Sequence, residues 1–153
     1  MPHIHELIDF TVVAYVVYRT KVLLIHHKEL NKWLPLGGHI ELDEDPEQAL
    51  FREVKEESGL EIVVLGEKPV VQPVRRKFLY APVFLDIHDI SDTHRHIGMI
   101  YFAKAKSDGV ILAEKEHNAI RWFSKEELDY AQFGIEADVI YYAREALQRL
   151  LRF

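Results

Sequence analysis

Three glutamates, Glu53, Glu56 and Glu57, stand at positions i, i+3 and i+4 of a segment that reads as a helix. At roughly 100° per residue, that spacing gathers their carboxylates into one arc about 100° wide. Like charges so placed destabilise a helix by about 0.2–0.5 kcal/mol per pair. Their position near the helix C-terminus adds to the cost, because the macrodipole there favours cations. A bound cation reverses the balance. Carboxylate oxygens with no Cys or His among them favour a hard ion, Mg²⁺ or Mn²⁺. Arg52 precedes Glu53 and lies four residues before Glu56, so its forked guanidinium can hold a carboxylate in one rotamer. The paired glycines Gly37 and Gly38 let backbone carbonyls approach the same place. His39, beside Gly38, and Glu44, one residue before the helix cap, are read as substrate contacts. An EF-hand is a poor match, because "DEDPEQ" lacks that loop's alternating ligands and central glycine.

The elements that must position these groups follow from pattern. The acidic helix starts at Asp45-Pro46, with Asp as N-cap, Pro at the first helical position and Gln48 three residues beyond the cap. It stops at Ser58-Gly59. Leu50, Phe51 and Val54 form its apolar arc. Strands are expected over Asp9–Tyr18, Lys21–His27, Leu60–Gly66, Phe78–His88, His96–Ala105 and Ala119–Phe123. His96–Ala105 is apolar at both parities, as in a central strand covered on both faces. Residues 30–39 are expected to be loop, punctuated by Pro35, Gly37 and Gly38. A second helix is expected from the Ser124–Glu127 capping box, and a third over about 135–151 on an apolar stripe that includes Val139, Ala143, Ala146 and Leu150. The order of elements predicts an α/β fold, a mixed sheet flanked by helices on both faces.

The chain has 153 residues, 48% hydrophobic and 29% charged. That suits one globular domain over residues 1–153. The absence of cysteine excludes a disulfide scaffold, a thiolate zinc site and a cysteine nucleophile, and fits a cytoplasmic address. A net charge of −6 disfavours nucleic acid as a partner. No apolar run reaches the roughly 18 residues that span a bilayer, so no membrane partner is expected, and "MPHIHELIDF" does not read as a signal peptide.

The segment Gly38–Leu60 resembles the Nudix box, G-x5-E-x7-R-E-U-x-E-E-x-G-U, where U is a bulky apolar residue. Gly38, Glu44, Arg52, Glu53, Val54, Glu56, Glu57, Gly59 and Leu60 fill every position. A chance match to its seven near-invariant letters has a probability on the order of 10⁻⁸ per start position. One departure is Leu36 immediately before the double glycine, where the family often has Pro; here Pro35 stands one residue earlier.

The resemblance implies an α/β/α sandwich of the Nudix type. It also implies metal-dependent hydrolysis of the pyrophosphate in a nucleoside diphosphate linked to a moiety X. The partner would be a small nucleotide: a nucleoside triphosphate, ADP-ribose or a nucleotide sugar. A non-catalytic nucleotide sensor is the alternative, although a binder has no need of the whole carboxylate set. By the family pattern Glu53 and Glu57 ligate Mg²⁺ or Mn²⁺ directly, and Glu56 does so directly or through water. The carbonyl of Gly37 or Gly38 adds an oxygen, and Arg52 orients a glutamate. The general base is Glu53, Glu56 or a carboxylate outside the box, for which Glu116 is the choice; Glu116 is also counted among the metal ligands. The resemblance also allows a homodimer. Outside the box, His88, His94 and His96 cluster around one loop, and Arg75–Lys77 is a short basic run. Trp33, Tyr80, Phe84 and Tyr101 are aromatics able to stack on a base, although core packing is the default for each.

Overall fold

The β-branched and aromatic residues of the first long apolar run form β1 (Ile8–Tyr18), the strand around which the rest is arranged. The computed structural model describes residues 4–153. β1 lies parallel to β7 (Arg95–Ala105) over nearly its whole length, from Ile8 opposite Arg95 to Val17 opposite Lys104. Its other edge is divided. Val17 and Tyr18 pair with the start of β2 (Lys21–His27), and Thr11 to Ala14 pair antiparallel with β4 (Leu36–His39). β2 diverges from β1 and pairs with β3 (Lys32–Leu34) and β8 (His117–Ser124). β5 (Ile62–Val64) and β6 (Phe84–Asp89) both run antiparallel to β7. The result is a mixed eight-stranded sheet among the described residues.

Alternation along the central strands sends side chains to both faces. Val12, Ala14 and Val16 of β1 join Tyr101 and Ala103 of β7 under α1 (Pro46–Ser58), which contributes Ala49, Leu50 and Val54. Tyr15 and Val17, with Ile100 and Phe102, meet the other helix, α2 (Ala137–Leu150), through Val139, Ala143, Ala146, Leu147 and Leu150. Burying a Leu or Val side chain is worth about 1.5–3 kcal/mol, so each helix is held to its face mainly by this stripe. The architecture is the expected α/β/α sandwich. No helix among the described residues is long and apolar enough to cross a membrane.

α1 starts and stops where its caps place it. The Asp45 carboxylate accepts the Gln48 N–H at 2.9 Å, the Gln48 side chain accepts the Asp45 N–H at 2.9 Å, and the helix ends at Gly59. Four local expectations are corrected. Residues 32–39 contain β3 and β4 rather than loop alone, because β2 and β1 offer unpaired edges there. The strand expected from Phe78 begins only at Phe84, beyond Pro82. The Ser124–Glu127 capping box forms, but it opens a 3-10 turn of three residues, in which only Leu128 is buried. Phe51 is 41% exposed, and the buried stripe of α1 runs instead through Ala49, Leu50 and Val54.

Candidate active site

The wheel of α1 places three glutamates on one arc; docking of the helix beside β4 separates them. Glu53 and Glu57 are 3% and 4% exposed, whereas the Glu56 side chain is 60% exposed. The inward pair faces Gly37 and Gly38. Glu57 Oε1 accepts the Gly37 N–H at 2.8 Å. A Cβ on Gly38 would lie 2.2 Å from Glu53 Oε1, and one on Gly37 would lie 2.2 Å from the Val12 carbonyl oxygen. Real contacts are never so short, so a side chain at either position would push the carboxylate or β1 away.

Arg52 is the hub. Its Nε and one terminal nitrogen make a bidentate pair with Glu44 at 2.7 and 2.8 Å. The other terminal nitrogen reaches Glu53 Oε1 at 2.9 Å and Glu56 Oε2 at 3.3 Å. The His39 carbonyl oxygen accepts a further bond at 3.1 Å. The guanidinium is thereby held even more firmly protonated than usual, first by the Glu44 hydrogen bonds. Glu44, expected as a substrate contact, has both oxygens on Arg52 and one also on the Glu41 N–H at 3.1 Å. Its carboxyl lies below the ordinary range because of the Arg52 hydrogen bond.

A cleft of about 820 Å³ opens over these groups. Its lining includes Arg52, Glu53, Glu56 and Glu57 on one side and Ala113 to Glu116 on the other. Glu116 is exposed at the rim, and the next residue, His117, is buried with Nε2 2.7 Å from Glu57 Oε2. Glu57, Glu116 and His117 bring ligand-capable atoms within 4.8 Å of one another.

The Nudix domain family pattern matches residues 9–143. The chain belongs to the Nudix family. A Nudix-family hydrolase from Clostridium perfringens is 36% identical, with a TM-score of 0.81, over 93% of this chain and 97% of that one. The Nudix fold is shared at lower identity by a C. elegans Ap4A hydrolase (19%, TM-score 0.68, 95% and 99% covered). It is shared too by the Nudix domain of Shewanella oneidensis NrtR complexed with ADP ribose (18%, TM-score 0.65, 93% and 88% covered). The protein is a Nudix pyrophosphohydrolase.

Within the Nudix box the electrostatics are those of a site short of positive charge. Burial, then the neighbouring Glu57, pushes the Glu53 carboxyl up to about 7. Burial raises Glu57 as well, against the hydrogen bonds from His117 and Gly37. The residues fit a hard divalent cation: two buried carboxylates, a glycine that leaves room for one of them, and an open cleft beyond.

Two groups were missed in the sequence. His117 escapes a sequence reading because the strand expected over Ala119–Phe123 begins at His117 in the structure, two residues earlier. Asp9, at the start of β1, was read only as the edge of a strand. It is 1% exposed and gathers His39 and His94, with His96 close by. His39 lines the cleft, but its imidazole engages Asp9 Oδ2 at 3.2 Å and His96 Nε2 at 3.3 Å. His88 sits at the exposed edge of this group, 3.3 Å from Asp86. The aromatics Trp33, Phe84 and Tyr101 pack into the two cores, and Tyr80 lies under Lys68. Lys77 of the basic run pairs with Asp45 at 2.7 Å.

Proposed function

We propose that the protein hydrolyses the pyrophosphate of a nucleoside diphosphate linked to X, with Mg²⁺ or Mn²⁺ held by Glu53, Glu57 and Glu56 and a backbone carbonyl of Gly37 or Gly38. The observation that carries this reading is the buried pair Glu53 and Glu57 at the floor of the cleft, both raised in pKa by burial. A divalent cation, when bound, neutralises phosphate oxygens and polarises water. The chain's own residues do the rest. Arg52 holds Glu53 in one rotamer while Glu44 holds Arg52. The Gly37 N–H and His117 fix the two oxygens of Glu57.

Water attacks one phosphorus, the bridging P–O bond breaks, and the departing phosphate keeps the electron pair. The water's proton passes to Glu56 or Glu116, whose carboxylates face the open cleft with more freedom than the buried pair. Phosphate-linked nucleotides as the ligand class are supported by the fold neighbours, an Ap4A hydrolase and an ADP-ribose-binding domain. A net charge of −6 speaks for a small nucleotide rather than a nucleic acid.

The test is incubation with Mg²⁺ and a panel of nucleoside triphosphates, dinucleoside polyphosphates, ADP-ribose and nucleotide sugars, with released phosphate, pyrophosphate and nucleotide monophosphate quantified. Turnover of at least one class, abolished by chelation, is expected. Tight binding without turnover of any would leave the chain a nucleotide sensor instead.

A further inference from the structure

Next to the carboxylates of the Nudix box lies a second set of ligand-capable side chains, all but His39 from outside the box, that the proposed hydrolytic chemistry does not use. Asp9 comes from β1, His39 from the end of β4, and His94 and His96 from the entry to β7. The strand registers bring them together: Asp9 is opposite His96 in the parallel β1–β7 pair, and Thr11 is opposite His39 in the β1–β4 pair. Ligand atoms of Asp9, His94 and His96 lie within 4.8 Å of one another. The His94 Nε2 is 3.1 Å from Asp9 Oδ2, His39 Nε2 is 3.2 Å from the same oxygen, and His39 Nε2 is 3.3 Å from His96 Nε2. A tetrahedral zinc ion with bonds of about 2.0–2.1 Å spaces its ligands about 3.3 Å apart. These three separations, two of them to His39, have that size.

The outer contacts match as well. The His94 Nδ1–H donates to the Glu6 carbonyl oxygen at 3.0 Å, which in the neutral ring leaves the lone pair on Nε2, the nitrogen that faces Asp9. Asp9 Oδ1 accepts the His5 N–H at 2.6 Å, and Oδ2, on which the His39 and His94 imidazoles converge, also accepts the Ile4 N–H at 3.3 Å. A carbonyl behind one histidine and a backbone N–H behind the carboxylate is the support that metal ligands need. Asp9, His94 and His39 are 1%, 5% and 6% exposed, which suits a closed structural site more than an open catalytic one.

We propose that Asp9, His94 and His96, with His39 beside them, bind a transition-metal ion of the zinc type, separate from the Mg²⁺ or Mn²⁺ of the Nudix box. Nitrogen-rich donors select such an ion over magnesium, which prefers oxygen. The ion joins three strands at the point where β4 delivers Gly38 to Glu53. It also steadies His39, whose carbonyl oxygen accepts from Arg52. Its role is to hold the box loop in place, not to touch the phosphates.

Metal content decides the matter independently of hydrolysis. Untagged protein, dialysed into metal-free buffer, is measured for zinc by elemental analysis; after exchange with Co²⁺ its visible spectrum is recorded. Wild type and a Glu53→Gln/Glu57→Gln double variant are both expected to keep about one zinc per chain and to show the strong bands of tetrahedral Co²⁺. His94→Gln and His96→Gln are expected to lose that affinity by roughly tenfold or more, with circular dichroism confirming the fold. Wild-type protein that takes up neither zinc nor tetrahedral Co²⁺ would overturn the proposal, and this outcome needs no variant to fold. So would zinc that survives His94→Gln but is lost from the double variant, which would assign it to the box. Hydrolysis with Mg²⁺, measured on the same preparations, reads the box reaction separately.

Discussion

His117 Nε2 lies 2.7 Å from Glu57 Oε2, across 60 residues of chain, with both side chains almost wholly buried. The histidine sits at the start of β8, directly after the cleft-lining residues Ala113 to Glu116, and the glutamate lines the cleft from the last turn of α1. Among the described residues the His117 Nδ1 has no hydrogen-bond partner. The bond to Glu57, with the edge contact to the His27 ring, orients this imidazole. His117→Ala is expected to leave Glu57 buried and half-satisfied, at a cost of about 1–3 kcal/mol in stability. Mg²⁺ affinity should fall by roughly 10–100-fold, as when a group behind a metal ligand is lost. Thermal unfolding and metal titration by calorimetry measure the two effects. Unchanged Mg²⁺ affinity would separate His117 from the metal site.

Glu57→Gln keeps the shape and the Gly37 hydrogen bond but removes the negative charge. Turnover is expected to drop at least roughly 100-fold, about 2.7 kcal/mol or more in transition-state stabilisation. The circular dichroism spectrum should not change. A rate close to wild type would take Glu57 out of the reaction.

Gly38→Ala places a methyl group where Glu53 Oε1 now lies, 2.2 Å from the ideal Cβ position. The carboxylate must move, and overpacking of this kind costs about 1–3 kcal/mol. The larger effect is expected on activity, since the displaced Glu53 also loses its place beside Arg52 at 2.9 Å. Comparison of melting temperature with turnover checks this. A loss of stability with full turnover would show that the position of Glu53 is not critical.

Arg52→Lys preserves the charge but not the fork. A lysine cannot hold both oxygens of Glu44 while it reaches Glu53 and the His39 carbonyl oxygen. Turnover is expected to fall by roughly tenfold or more through misorientation of Glu53, with little change in KM. A change confined to KM would make Arg52 a substrate contact instead.

Glu53 supplies the pH dependence. Its carboxyl is pushed up from 4.5 to about 7 by burial and by Glu57. Without metal, the folded chain holds a proton that the unfolded chain has already released. The contribution to stability is therefore fully present below pH 4.5 and is lost as the pH rises through about 7. A cation competes for the same oxygens, so Mg²⁺ affinity should strengthen with pH by up to roughly tenfold per unit below 7 and level off above it. Titrations at about pH 6 and about pH 8 test the sign, and equal affinities would show that Glu53 is already ionised in the metal-free protein.

What the sequence determined by itself was local and repetitive. The box spacing placed the carboxylates on one helical arc, because the α-helix turns by a constant angle. Asp45, Pro46 and Gly59 set the ends of α1, because capping groups act on backbone within four residues. β-branched and aromatic residues marked β1 as a strand, and apolar residues at both parities marked β7 as one covered on both faces. Tertiary structure decided which groups face one another. The wheel could not tell Glu53 and Glu57 from Glu56; only docking against β4 buries two and exposes the third. Glu116 and His117 are adjacent in the chain and reach the same place, yet Glu116 is exposed and His117 buried, a difference set where β8 starts to pair with β2. The Ser124–Glu127 box formed as a cap, yet no long helix followed, since a helix persists only where a stripe of its side chains finds a surface to bury against. Asp9, His39 and His94 lie far apart in sequence, and only the registers of β1 with β4 and β7 bring them together. Short-range order follows from backbone geometry that each residue carries with it, whereas long-range proximity depends on how whole strands align.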